Sequence, residues 1–225
     1  MQSLPMRRAG RQAQSGFTLV EIAIVLVIIG LLLGGVLKSQ ELIENGRVKN
    51  AANDMNGIVA AYNSYLDRYR KVPGDDGPVA TLTARGTAWA GMAEGNNNGI
   101  LDVNAGQTFT GGGEGATFFR HLRASGFITG NPADVGVNAL PFNAWGGRLG
   151  VTNVAVQGRV AARVMVCLGS VPGKAAAALD VQLDDGRPDN GSFRATQGAN
   201  NVVPGGGAAT AYSEDQTYTV CRDIN

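Results

Sequence analysis

An apolar run with one acid near its start constrains this chain more than anything else in it. Phe17 to Leu37 spans 21 residues and carries a single formal charge, Glu21. At 1.5 Å rise per residue, a helix of that length crosses the hydrocarbon core of a bilayer. A carboxylate inside such a span is costly, so its presence asks for a role. Ahead of the run, Arg7, Arg8 and Arg11 are the only charged side chains of residues 1–15. Basic flanks stay cytoplasmic, which places the N-terminus inside and sends the larger C-terminal part across the membrane. An ordinary signal peptide has a shorter apolar core followed by a small-residue cleavage site. Gly34 and Gly35 imitate part of one, yet the helical pattern continues past them.

Lys38 closes the apolar block, and no proline interrupts the chain until Pro73. Between them Met55, Val59, Tyr62, Leu66 and Tyr69 recur three or four residues apart, the spacing of one helical face. Asp54, Asn56, Asn63, Asp67 and Arg68 fall mostly off it. The expectation is one helix from Phe17 to Tyr69, about 80 Å long at the standard rise, with its second half amphipathic and packed on a soluble domain. Gly30, Gly34, Gly35, Gly46 and Gly57 lower its propensity locally, and Pro73-Gly74 stops it.

Residues 73–115 hold three turn-rich clusters and read as an extended connector anchored by Trp89, Met92, Ile100, Leu101 and Phe109. Within it, Glu94, Asn96 and Asn98 alternate, followed by Gly99, Ile100 and Asp102. That pattern resembles the first nine positions of an EF-hand-like calcium loop, with the Ile100 carbonyl as one of the ligands. Its twelfth position is Ala105 instead of a bidentate glutamate. Two readings therefore stand, a calcium-ordered loop and a plain polar turn. No transition-metal cluster is in view, because His121 is the only histidine.

Downstream, residues 114–125 read as a helix with Phe118, Phe119 and Leu122 inward, Gly126 as its stop, and His121 exposed or hydrogen-bonded. Arg148–Val156 and Arg159–Cys167 read as an antiparallel hairpin about Gln157-Gly158. Pro172–Leu183 reads as a short helix. Asp184, Asp185 and Asp189 lie in a turn cluster, a solvated turn or a cation site. Gln197–Ala211 reads as a mobile glycine-rich loop, and Gln216–Arg222 as the last strand. The two cysteines, Cys167 and Cys221, form one disulfide if the domain lies outside the cytoplasm.

The N-terminal junction, Gly16-Phe17-Thr18-Leu19-Val20-Glu21 between a basic leader and an unbroken apolar helix, resembles that of type IV prepilins and type II secretion pseudopilins. The resemblance implies cleavage between Gly16 and Phe17 by a prepilin peptidase, N-methylation of Phe17, and an assembly role for Glu21, which would pair with a neighbouring subunit's terminal amine. It also implies the partition 1–16 leader, 17–37 transmembrane and filament-core helix, 38–72 amphipathic continuation, and 73–225 soluble domain. The corresponding fold is α+β, a long N-terminal helix packed on a small antiparallel sheet. Implied partners are the processing enzyme, other pilins or pseudopilins and an inner-membrane assembly platform. The implied location is the bacterial inner membrane with a periplasmic C-terminal domain, then the filament.

Other classes fare poorly. Gly-X-Ser-X-Gly, His-Glu-X-X-His and a phosphate-loop lysine motif are all missing from the sequence, so an enzyme is not expected. The net charge of +1 falls by three with the leader arginines, and no long basic run follows the leader, so a nucleic-acid surface is not expected. Within the assembly class, a minor initiating or tip subunit is the runner-up. Outside it stands an uncleaved single-pass module that binds a ligand or protein in the periplasm.

Overall fold

A computed structural model describes residues 16–224. The chain divides into two compact units, one up to Ile43 and one from Glu44 onward. A single helix, α1 (Leu19–Tyr69), belongs to both. In the second unit its buried face consists of Val48, Ala51, Ala52, Met55, Ile58, Ala61, Tyr62 and Tyr65. This face is rotated from the expected one: Met55 and Tyr62 lie on it, whereas Val59, Leu66 and Tyr69 are only partly buried at its border. The alanines explain the rotation. Their small side chains let the domain approach the helix closely, and a stripe drawn through the large residues alone passes beside them. Arg70, in the left-handed region at φ 55°, ends the helix ahead of Pro73.

The connector holds one short α-helix, α2 (Val79–Thr83), and two 3-10 turns (Thr87–Trp89 and Ala105–Gln107), and leads to α3 (Gly115–Ala124). Trp89, Met92, Leu101 and Phe109 are buried as expected, but Ile100 is 53% exposed. Its neighbour Leu101 takes the inward position, and the Ile100 N–H is tied to Asn98 Oδ1 at 2.8 Å. Phe118, Phe119 and Leu122 of α3 are fully buried. Gly126 at φ 78° closes α3, with the Phe127 N–H donating to the Leu122 carbonyl at 3.0 Å.

The sheet has four strands, β1 (Leu149–Thr152), β2 (Met165–Pro172), β3 (Phe193–Gln197) and β4 (Thr217–Asp223), in the order β1-β2-β4-β3. All pairings are antiparallel. Helix α4 (Gly173–Leu183) follows β2 directly. The expected antiparallel pairing of the two segments holds, since β1 pairs with β2, but the paired strands stop short of the 157–158 turn. Gln157 and Gly158 do form a turn with positive φ, but the strands begin far from it, and Leu149 pairs with Leu168. Residues 157 and 158 give their N–H groups to Gly205 and Gly206 instead.

The expected mobile loop 197–211 is corrected by the same bonds. It is pinned further by Thr219 Oγ1 donating to the Val202 carbonyl at 2.6 Å, and by the Ala209 N–H donating to the Ala195 carbonyl at 2.8 Å. Both sheet faces are covered. Val166 and Leu168 join the core that includes α1 and α3, while Met165, Cys167 and Cys221 pack with Phe109 and Val156 on the other side. A Cβ on Gly150 would collide with the Thr108 carbonyl, so only glycine admits the connector across β1.

Candidate processing and assembly site

The helix start is built by Thr18 and Glu21. Thr18 Oγ1 accepts the Glu21 N–H at 3.2 Å, and Glu21 Oε2 accepts the Thr18 N–H at 2.8 Å and the Thr18 hydroxyl at 2.8 Å. This reciprocal pair is a capping box, which satisfies donors that the first turn leaves open. Its Thr-X-X-Glu signal stands in the sequence, where the apolar run drew attention to the carboxylate's cost and hid its capping role. Just outside the helix, Phe17 is 84% exposed, and a Cβ on Gly16 would meet nothing. A requirement for glycine there would have to come from a recognising protein, because the chain's own packing imposes none. The leader arginines Arg7, Arg8 and Arg11 lie outside the described residues.

From Leu19 to Leu37 the large apolar side chains are solvent-exposed, Leu19 at 91% and Leu31 at 73%. By length and composition α1 contains one segment able to cross a membrane, with none of that window buried. Apolar exposure on this scale is stable only in lipid or against other apolar helices.

The proposed calcium ligands are partly gathered. Asn96 and Asn98 direct their amide nitrogens to Asp102 Oδ2 at 2.5 and 2.8 Å. Glu94 faces elsewhere, accepting the Val79 N–H at 2.7 Å. Two acids that sequence reading did not assign to the loop hold its backbone. Asp75 accepts the N–H groups of Asn98 and Gly99, and Glu114 those of Asn96 and Asp102, at 2.7–3.0 Å. Burial raises the Glu114 pKa. A Cβ on Gly95 would clash with Asp75 and the Gly74 carbonyl, so the two connector segments meet at that glycine. In the later turn cluster, Asp180, Asp184 and Asp185 lie within 4.8 Å of one another, while Asp189 pairs with Arg187. Each of the three already accepts hydrogen bonds: Asp180 from Tyr212 and Gly186, Asp184 from Phe193, and Asp185 from Arg187 and Asn190.

A buried polar knot fastens the connector to the end of α1. Asp76 Oδ2 takes the Tyr65 hydroxyl at 2.7 Å and the Arg85 guanidinium at 2.6 Å, and Arg85 lies over the Tyr69 and Trp89 rings. His121 is fully buried beside it and parallel to the Tyr65 ring. Its Nδ1 accepts the Gly74 N–H at 3.1 Å, which leaves the ring proton on Nε2 to be donated to the Ala93 carbonyl at 2.9 Å. Burial pushes the imidazole pKa down to about 4. Sequence spacing carries no signal for this knot, because its members come from three elements.

Cys167 and Cys221 are directly opposite in the pairing of β2 with β4 and form a disulfide. Near it Arg159, its pKa lowered by burial, binds Asp223, Gln157 and the carbonyls of Ser192 and Cys221. It thereby ties the 157–158 turn to the C-terminal strand.

No curated protein matches the chain. A family model described as the prokaryotic N-terminal methylation motif matches residues 11–37. That interval takes in the Gly16-Phe17 junction, the Thr18–Glu21 cap and the exposed apolar segment of α1, so the chain bears the N-terminal signature of type IV prepilins and pseudopilins.

Proposed function

We propose that the chain is a structural subunit of a type IV pilus or a type II secretion pseudopilus. It is inserted in the inner membrane with its C-terminal domain in the periplasm and is cut between Gly16 and Phe17. The new Phe17 amine is methylated, and the subunit is then drawn through an assembly platform into the filament. The observation that carries this reading is the methylation motif at residues 11–37, joined to an apolar helical segment that the chain itself leaves uncovered. The motif's family consists of structural subunits, so no catalytic role is assigned.

The chemistry is association. Cleavage removes sixteen of 225 residues and creates a cation one residue before the cap. Glu21 would exchange its local Thr18 bonds for the terminal amine of a neighbouring subunit, an exchange that lowers the cost of holding both charges in an apolar filament core. Glu21→Ala tests this role. Membrane insertion and cleavage should persist while incorporation into filaments beside the wild-type chain weakens. Equal incorporation would overturn the assignment.

A further inference from the structure

The second unit carries an open groove of about 300 Å³, whose lining includes Ile58, Phe127, Phe142 and Leu149, with Asp54 and Arg123 among its polar residues. Phe142 is 62% exposed. Arg123 Nη1 is buried without an acceptor, a condition that folded proteins rarely leave unrelieved. Asp54 has no cation beside it, and burial raises its carboxyl pKa. The groove therefore offers an apolar floor with a carboxylate that has no cation beside it and a guanidinium whose Nε donates to the Thr129 carbonyl at 3.4 Å and whose charge Asp134 answers in part, while its Nη1 lacks an acceptor.

The rest of the unit holds a matching feature. Among the described residues, the carboxylates without a hydrogen bond or ion pair are Asp54, Glu214 and Asp215. Glu214 and Asp215 occupy the exposed turn before β4. Lys174, also exposed and unpaired, lies in the first turn of α4 beside them, where the Gly173 N–H donates to the Gln216 carbonyl at 2.8 Å. Two free carboxylates next to a free ammonium are the charge complement of Arg123 and Asp54.

We propose that the Glu214–Asp215 turn of one copy of this chain docks in the Arg123–Asp54 groove of another. A carboxylate reaches Arg123, Lys174 reaches Asp54, and the turn covers Phe142. Turn and groove share no residue, so the contact is heterologous. Repeated without closure, such a contact builds an open array, the kind of contact a filament requires. The inference rests on the proposed function for its partner, a second copy.

The test places a photo-cross-linking benzophenone amino acid at Phe142 of the full chain in its native membranes. The expected product is a dimer whose cross-linked peptide contains residues 213–217. Arg123→Glu should lower its yield about tenfold, the loss expected when a desolvated ion pair becomes a repulsion. Adding Glu214→Arg and Asp215→Arg should restore it, and Asp54→Lys with Lys174→Glu repeats the exchange at the second pair. A non-reducing gel showing the Cys167–Cys221 bond reports folding of each variant. A cross-link to another segment, another protein or lipid, no cross-link, or no restoration in folded double-exchange variants would overturn the docking. Leader removal is read by mass in the same sample: an uncleaved chain counts against the filament reading, while cleaved chains whose cross-link lies elsewhere count against the docking alone.

Discussion

His121 makes the stability of the second unit depend on pH in a direction the geometry dictates. Its imidazole is held neutral by a donor on one nitrogen and an acceptor on the other, and its pKa falls from 6.5 to about 4. Between those values the unfolded chain binds a proton that the folded chain refuses. Stability is therefore complete above the unfolded pKa and is lost as pH falls toward 4, at about 1.4 kcal/mol per unit and about 3 kcal/mol in all. Glu114 and Asp180, whose carboxyl pKa values burial raises, act with the opposite sign in part of this range. The informative quantity is thus the difference between wild type and His121→Gln, which cannot titrate. Urea unfolding of the full chain in detergent, followed by tryptophan fluorescence from pH 7.5 to 4, measures it; Trp89 lies 5.6 Å from the His121 ring and reports the knot directly. The variant starts weaker, having lost ring contacts to Tyr65 and Trp89, but should lose about 3 kcal/mol less on acidification. Parallel pH profiles would refute the reasoning.

Two further perturbations have expected magnitudes. Reducing Cys167–Cys221, or replacing both by serine, releases a closure of 54 residues and should lower stability by about 4 kcal/mol, read as a shift of the urea midpoint with and without reductant. Chelation of divalent metal should leave the melting temperature unchanged, because Asp75, Glu114 and Asp102 already bind protein donors around the 94–102 loop. A fall reversed by added calcium would contradict that reading.

Elements defined by local chemistry were legible in the sequence. The long helix, α3 with its Gly126 stop and α4 after Pro172 follow from periodicity, stop signals and propensity, and the cysteine pair follows from an even count in a domain expected outside the cytoplasm. The strands were harder. Met165 to Leu168 is buried on both faces, so the alternation that marks a half-exposed strand is lost, and Val160, fully exposed, looks like a strand residue without being one. The glycine-rich 197–211 segment reads as mobile by composition, but its backbone groups find partners in β4 and in the 157–158 turn, and only tertiary structure reveals those. At the N-terminus, Gly16, Phe17 and Glu21 stood out by position and cost. The knot of Tyr65, Asp76, Arg85 and His121 and the tie made by Arg159 did not, since their sequence separations encode nothing.

The claim on which the rest depends is processing at the Gly16-Phe17 junction. Intact and N-terminal peptide mass spectrometry of the protein from its own membranes, with its peptidase active, tests it most directly. The expected result is a mature chain of 209 residues beginning at Phe17 and carrying one added methyl group. A chain that keeps residues 1–16 under those conditions, or begins elsewhere, would contradict it.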